Sequence, residues 1–186
     1  MAERENVCKQ LHMPLQAGSD TILKAMSRKY SVKEFHDFIE HVHENVEGVC
    51  IGTDVIVGFP GETDSLFNET FDYLTRSCLD YIHVFSYSER QYARSKKIDA
   101  KVPADIITQR SRALRQLSQE KRDLFFQEHL NQSLNVLFES KKGSYWSGLT
   151  DNYLRVMVPD KGKNMKNTFD TVFSLSLSSD GVFAQQ

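Results

Sequence analysis

Apolar positions in the first half of the chain recur in two rhythms. Val32, Phe35, Ile39, Val42 and Val46 follow alternating three- and four-residue steps, which puts one greasy stripe on a helix that opens with the capping box Ser31-Val32-Lys33-Glu34. A shorter helix carries Ile22, Leu23 and Met26, with Ser19 or Asp20 as its cap and Arg28 and Lys29 at its negative end. A third carries Phe67, Phe71 and Leu74 on one face and is capped by Thr63 or Asp64. Between them lie an extended segment over Val7 to Leu15, where Pro14 disfavours helix at Met13, and two strands, Val49 to Val57 and Asp80 to Tyr87, dense in β-branched and aromatic residues. Strands separated by helices of this length pair in parallel through crossovers. Three such units do not close a barrel, so the region reads as half of a larger α/β barrel or a small open sheet with an exposed edge.

One long helix follows from Pro103 to Leu130, with Ile107, Leu114, Leu117 and Leu124 as its stripe and Arg110, Arg112, Arg115, Lys121 and Arg122 largely off it, on a solvated face. After Asn131 the rhythm turns from helical to alternating. Leu134 to Phe138, Leu154 to Val158 and Thr171 to Leu175 are short strands with Gly143, Gly148, Asp160 and Gly162 at the turns, which suggests a small β-barrel. The fold class is α/β plus all-β: a sheet region over 1–98, a linking helix over 99–130 and a β-barrel over 131–186.

Composition fits that layout. The 186 residues are 40% hydrophobic and 26% charged, enough for a proper core in one or two domains. No apolar run approaches the roughly 18 residues of a membrane span and the start lacks the apolar core of a signal peptide, so the expected location is cytoplasmic. Residues 1–95 hold nine Lys and Arg against fifteen Asp and Glu, whereas 96–186 hold fourteen against ten, which makes the second half the better partner for a polyanion. Cys8, Cys50 and Cys78 lie far apart with no CxxC pattern, so they read as free thiols and no metal ligands are assigned.

Two stretches carry candidate chemistry. Val55-Ile56-Val57 runs into Gly58-Phe59-Pro60-Gly61-Glu62, a strand feeding a glycine-rich turn whose backbone amides can approach a bound group. Alternation sets Val55 and Val57 toward the helices and Gly52, Asp54 and Ile56 on the other face. Asp54 is either a lumen-facing carboxylate or one bonded to neighbouring amides, and His12 either a site residue or a core histidine. In the barrel region, Tyr145, Trp146 and Tyr153 are interspersed with Lys141, Lys142, Arg155, Lys161, Lys163 and Lys166. Exposed aromatics beside cations stack bases and hold phosphates, although a barrel this small also buries rings in its core.

Three segments together carry a resemblance. Leu11-His12-Met13-Pro14-Leu15-Gln16-Ala17-Gly18-Ser19-Asp20 with Leu23-Lys24-Ala25-Met26, then Thr53 to Thr63, then Phe85-Ser86-Tyr87-Ser88-Glu89-Arg90, are similar in order and spacing to the MiaB-like methylthiotransferases. These are radical S-adenosylmethionine enzymes that add a methylthio group to tRNA adenosines or to a ribosomal protein. The C-terminal strands, with Gly148 to Tyr153, resemble the family's TRAM domain.

The resemblance implies a partial radical-SAM-type (β/α) barrel, with S-adenosylmethionine held by Gln16, Asp54, Gly58, Gly61, Glu62, Ser86 and Tyr87. It implies tRNA held by Lys141, Lys142, Tyr145, Trp146, Tyr153 and Arg155. It also implies two 4Fe-4S clusters in the parent enzyme, yet the cysteine-bearing N-terminal domain and the CxxxCxxC loop are absent from these residues, so the chain looks like the C-terminal half of such an enzyme, holding no cluster and inactive alone. After Arg90 the family continues with Pro, a small or polar residue and Thr, whereas this chain reads Gln91-Tyr92-Ala93-Arg94-Ser95. Members acting on threonylcarbamoyl-adenosine beside the anticodon are the preferred branch. Alternatives are the ribosomal-protein branch, a non-catalytic RNA-binding module, or a structural unit that self-associates through its open sheet edge.

Overall fold

The structure is a computed structural model describing residues 1, 6–89, 98 and 100–186. The altered segment Gln91–Ser95 lies outside the described residues. The chain forms two compact units, one of residues 11–45 and 51–121, the other of 1–10, 46–50 and 122–186.

The first unit is built on a three-stranded sheet in the order β1 (Gln10–His12), β2 (Cys50–Val57), β3 (Tyr81–Ser86). β2 and β3 are parallel, with Gly52 opposite Tyr81, Asp54 opposite His83 and Ile56 opposite Phe85. Beyond β1, Gln16 continues the pairing as a parallel bridge to Val55. Paired residues of a parallel ladder share a face. One face therefore carries Gly52, Asp54, Ile56, Tyr81, His83 and Phe85, and the other Thr53, Val55, Val57 and Ile82, all buried. Val55 and Val57 face inward and Asp54 outward, as alternation predicts.

Among the described residues the helices are α1 (Asp20–Ala25), α2 (Val32–Asn45), α3 (Asp64–Arg76) and α4 (Ala104–Glu128). The capping box at α2 forms: the Ser31 amide donates to Glu34 Oε2 at 2.8 Å and the Glu34 amide to Ser31 Oγ at 3.2 Å. Asp20 caps α2 rather than its own helix, accepting the Val32 amide at 2.7 Å, while the Ser19 hydroxyl donates to Glu69. Thr63 caps α3 through Leu66. On α3 the buried positions are Thr70 and Leu74, with Phe67 and Phe71 at the edge of the stripe, because Thr70 Oγ1 must reach the amide of Gly18.

α4 differs from a free linker. Through Lys121 it belongs to the sheet unit, where Ser118 Oγ accepts the Ile82 amide at 2.8 Å and donates to the Ile82 carbonyl at 2.9 Å. Leu114 and Leu117 are buried as the stripe requires, but Leu124 is 58% exposed and Phe125 and Phe126 are buried instead. A seven-residue repeat drifts around a straight helix by about 20° each time, and from Arg122 onward the helix belongs to the other unit.

That second unit is a closed barrel in the order β4-β5-β6-β8-β7, formed by β4 (Ser133–Lys142), β5 (Tyr145–Leu149), β6 (Arg155–Pro159), β7 (Thr168–Ser178) and β8 (Gly181–Gln185). All pairings are antiparallel except β6 with β8. Val136, Phe138, Val156, Val158, Val172 and Val182 fill the interior. Closure leaves this sheet without an open edge.

Candidate functional site

The sheet unit holds two different polar arrangements, one on each side of β2. On the outward face, His12 Nε2 lies 2.9 Å from Asp54 Oδ1 and His83 Nδ1 lies 3.5 Å from the same oxygen. The other ring nitrogen of His12 is 3.2 Å from the Tyr81 hydroxyl. Tyr81 reaches it by lying flat over Gly52, where a Cβ would fall 1.9 Å from the ring. Ring centroids of His12 and His83, and of Tyr81 and His83, are each 5.1 Å apart. Asp54 is thus bonded by an imidazole, and His12 belongs to this polar cluster rather than to the core.

On the helix side, the Gly58 to Glu62 turn is closed upon itself. The Gly58 amide donates to Glu62 Oε2 at 2.8 Å, the Gly61 amide to the Ala100 carbonyl at 2.7 Å and the Glu62 amide to the Phe59 carbonyl at 2.9 Å. All three amides thus have acceptors within the chain, that of Gly61 lying beyond the turn. Gly58 is required twice over: its φ is +80°, and an added Cβ would meet Ile107 of α4 at 2.4 Å. Gly61, at φ +90°, has open space where a Cβ would stand.

The Glu62 carboxylate also accepts Arg110 Nη1 at 2.8 Å, and Arg110 Nη2 reaches Asp64 at 2.5 Å. Arg110, expected on a solvated face, is buried because the turn supplies these acceptors. Burial pushes the Glu62 carboxyl up, against the opposing pull of the Gly58 amide and Arg110.

The seven residues expected around S-adenosylmethionine therefore divide. Asp54 stands on the outward face; Gly58, Gly61 and Glu62 share the turn. Ser86 Oγ lies 3.0 Å from Ser111 Oγ of α4, and Tyr87 packs edge-on against Phe59 with centroids 5.4 Å apart. Gln16 is buried with φ 76°, its amide donating to Asp54 O and its carbonyl accepting from Ile56, so its backbone extends the sheet beside Asp54. His83 escaped the reading of the sequence. The signal was there in register: His83 has the parity of Asp54 once β2 and β3 pair in parallel.

In the barrel unit Lys142 is exposed, and Tyr145 and Tyr153 are 38% and 56% exposed. Trp146 is not an exposed stacking platform. The residue is 7% exposed and its indole N–H donates to Asp160 at 3.1 Å, an anchor in the barrel unit. Lys141 also binds Asp160, and Arg155 Nε pairs with Asp180 at 3.2 Å. Lys141 and Arg155 thus meet carboxylates of their own unit.

The cysteines do not suit an iron–sulfur cluster. Cys8 is exposed and Cys50 buried, and the described residues that converge as a ligand group, His12, Asp54 and His83, include no thiol. Burial and the neighbouring Glu40 push the Cys78 thiol up to about 12.

Residues 2–74 match the Radical SAM superfamily model. The threonylcarbamoyladenosine tRNA methylthiotransferase MtaB of Aquifex aeolicus is 35% identical over 156 residues, which cover 84% of this chain and 37% of that protein. Its counterpart in Bacillus subtilis is 31% identical over 158 residues, 82% of this chain and 35% of that protein. The tRNA-2-methylthio-N(6)-dimethylallyladenosine synthase of Rhodococcus jostii is 40% identical over 120 residues, 64% of this chain and 24% of that protein. The chain spans about a third of the length of the first two relatives. These matches support the likeness of the chain to the MiaB-like methylthiotransferases of the radical SAM superfamily.

Proposed function

We propose that this chain is part of a radical S-adenosylmethionine enzyme that methylthiolates threonylcarbamoyl-adenosine next to the anticodon of tRNA. The observation that carries the reading is the likeness to tRNA methylthiotransferases over more than four fifths of the chain, running through both units. In this reading the parallel sheet is part of the radical-SAM barrel, and its outward face, with Asp54 and the adjoining Gln16, borders the cofactor and the target base. The closed five-stranded barrel is a TRAM domain that docks the tRNA. When cleaved reductively at a cluster, S-adenosylmethionine supplies the oxidising equivalent of such transfers. No step is assigned to this chain through a cluster, since its cysteines do not suit one.

What the chain contributes is substrate docking. Lys142, Tyr145 and Tyr153 are the exposed cation and rings available for phosphate and base contacts; the buried Trp146 is left out of that surface. The test is a tRNA titration at two salt concentrations with this chain and a Lys142→Ala, Tyr145→Ala, Tyr153→Ala variant. Phosphate contacts weaken steeply with salt, and each stacked base contributes about 1–3 kcal/mol, so the variant is expected to bind at least about tenfold more weakly. Salt-insensitive binding, or equal binding by both proteins, overturns the assignment of this surface.

A further inference from the structure

We propose that His12, Asp54 and His83 form a binding site for one divalent first-row transition-metal ion on the outward face of the sheet. The three donor atoms lie within 4.8 Å of one another, although the residues are far apart in sequence. Two donors each about 2.1 Å from one ion, at tetrahedral or octahedral angles, are about 3.0–3.4 Å apart. His12 Nε2 and His83 Nδ1 stand 2.9 and 3.5 Å from Asp54 Oδ1 and within 4.8 Å of each other, so rotation of the exposed His83 ring toward His12 would seat an ion.

The surroundings support a metal over a plain hydrogen-bonded pair. At 3.5 Å the second imidazole is aimed at the carboxylate but too far for a good hydrogen bond, a distance a shared ion would resolve. His12 also has the outer partner that histidine ligands require: the Tyr81 hydroxyl at Nδ1 fixes the ring with Nε2 directed toward the site. Gly52 makes room for that tyrosine. Two imidazoles and one carboxylate suit zinc or ferrous iron rather than calcium or magnesium, and three protein ligands leave coordination positions for water or an outside donor. His83, with 58% of its side chain exposed, keeps the site reachable from solvent.

The test is a Co²⁺ titration of the chelator-treated chain, followed by visible absorption and then by Zn²⁺ competition. One Co²⁺ per chain is expected, with ligand-field bands and no thiolate charge-transfer band, displaced by Zn²⁺. His83→Ala and Asp54→Asn are expected to weaken binding at least tenfold, and Tyr81→Phe about tenfold through the lost outer contact. His41→Ala with His43→Ala, exposed residues on α2, should leave it unchanged. His83 is exposed, so His83→Ala keeps the test independent of folding. Absence of stoichiometric Co²⁺ binding, a thiolate band, or binding indifferent to His83→Ala overturns the proposal. None of these outcomes bears on tRNA binding, so the metal site and the tRNA reading stand or fall separately.

Discussion

Glu62 and Arg110, 48 positions apart, form a buried ion pair in which Nη1 lies 2.8 Å from Oε2 and neither side chain is more than 6% exposed. The pair fastens the turn after β2 to α4, and two further acceptors, the Glu62 carbonyl at 3.0 Å and Asp64, hold the guanidinium. The glycine-rich turn is thereby held by charge from within and by packing of Gly58 against Ile107. The turn that reads in sequence as a ligand cradle also seats a helix.

Arg110→Ala is expected to destabilise the sheet unit by about 3 kcal/mol at neutral pH, since it strands a buried carboxylate that keeps, among the described residues, the Gly58 amide as its donor. The loss depends on pH. Burial already raises the folded Glu62 carboxyl above its unfolded value, and without Arg110 the rise is larger. A raised carboxyl contributes stability below its unfolded value and loses it as pH rises through the folded one. Urea denaturation at pH 7 and at pH 5 should show the gap between variant and wild type narrowing in acid. A gap equal at both values would mean that Glu62 does not carry the effect.

Gly52→Ala tests the outward face. The new methyl would sit 1.9 Å from the Tyr81 ring, so the ring must leave its place over β2 and with it the hydrogen bond to His12. Such overpacking costs about 1–3 kcal/mol. The expected result is a lower melting temperature with an intact far-ultraviolet spectrum and a changed His12 ring resonance by NMR. An unperturbed His12 signal would show that Tyr81 does not position it.

The three cysteines should separate under alkylation. Cys8 is exposed, Cys50 is buried, and Cys78 has a thiol pushed up to about 12, by burial first and by Glu40 second. At pH 8 a thiol of that kind is thiolate to about one part in ten thousand, and the thiolate is the nucleophile. Iodoacetamide followed by peptide mass spectrometry is expected to mark Cys8 and spare Cys78 and Cys50 in the folded chain, and to mark all three in urea. Rapid labelling of Cys78 without denaturant would contradict its environment.

How far the sequence discloses this molecule depends on the range of the interaction. The Ser31 to Glu34 cap, the α2 stripe and the alternation of Val55 and Val57 are local, and the structure repeats them. Asp20 capping the following helix, Arg110 turned inward and Leu124 turned out are decided by partners far along the chain, which periodicity does not contain. In the barrel, β5 and β8 went unread because Tyr145 to Leu149 and Gly181 to Gln185 are too short and glycine-interrupted to alternate cleanly. Trp146 looked like a stacking ring because aromatic residues beside lysines fit a binding face and a core equally well. Its burial follows from barrel closure and from Asp160. The outward cluster was legible in part: Asp54 by alternation, but His83 only once the parallel register is known.

Asp160 is the residue through which acid should loosen the barrel. Its carboxylate binds Lys141, the Gly162 amide at 3.0 Å and the Trp146 indole at 3.1 Å, and these partners, Lys141 first, hold its carboxyl below the usual aspartate value. A depressed carboxyl contributes stability above its unfolded value and loses it as pH falls through the folded one. Trp146 is the chain's single tryptophan, so its fluorescence reports on this barrel alone. Urea midpoints read from that fluorescence should differ between wild type and Asp160→Asn at pH 7, with wild type the more stable, and the difference should shrink as pH is lowered below the usual aspartate value to pH 3. A difference that persists unchanged at pH 3 would mean that the ionised carboxylate is not what ties β5 to the turn after β6, and the account of Trp146 as an anchor held by charge would fail.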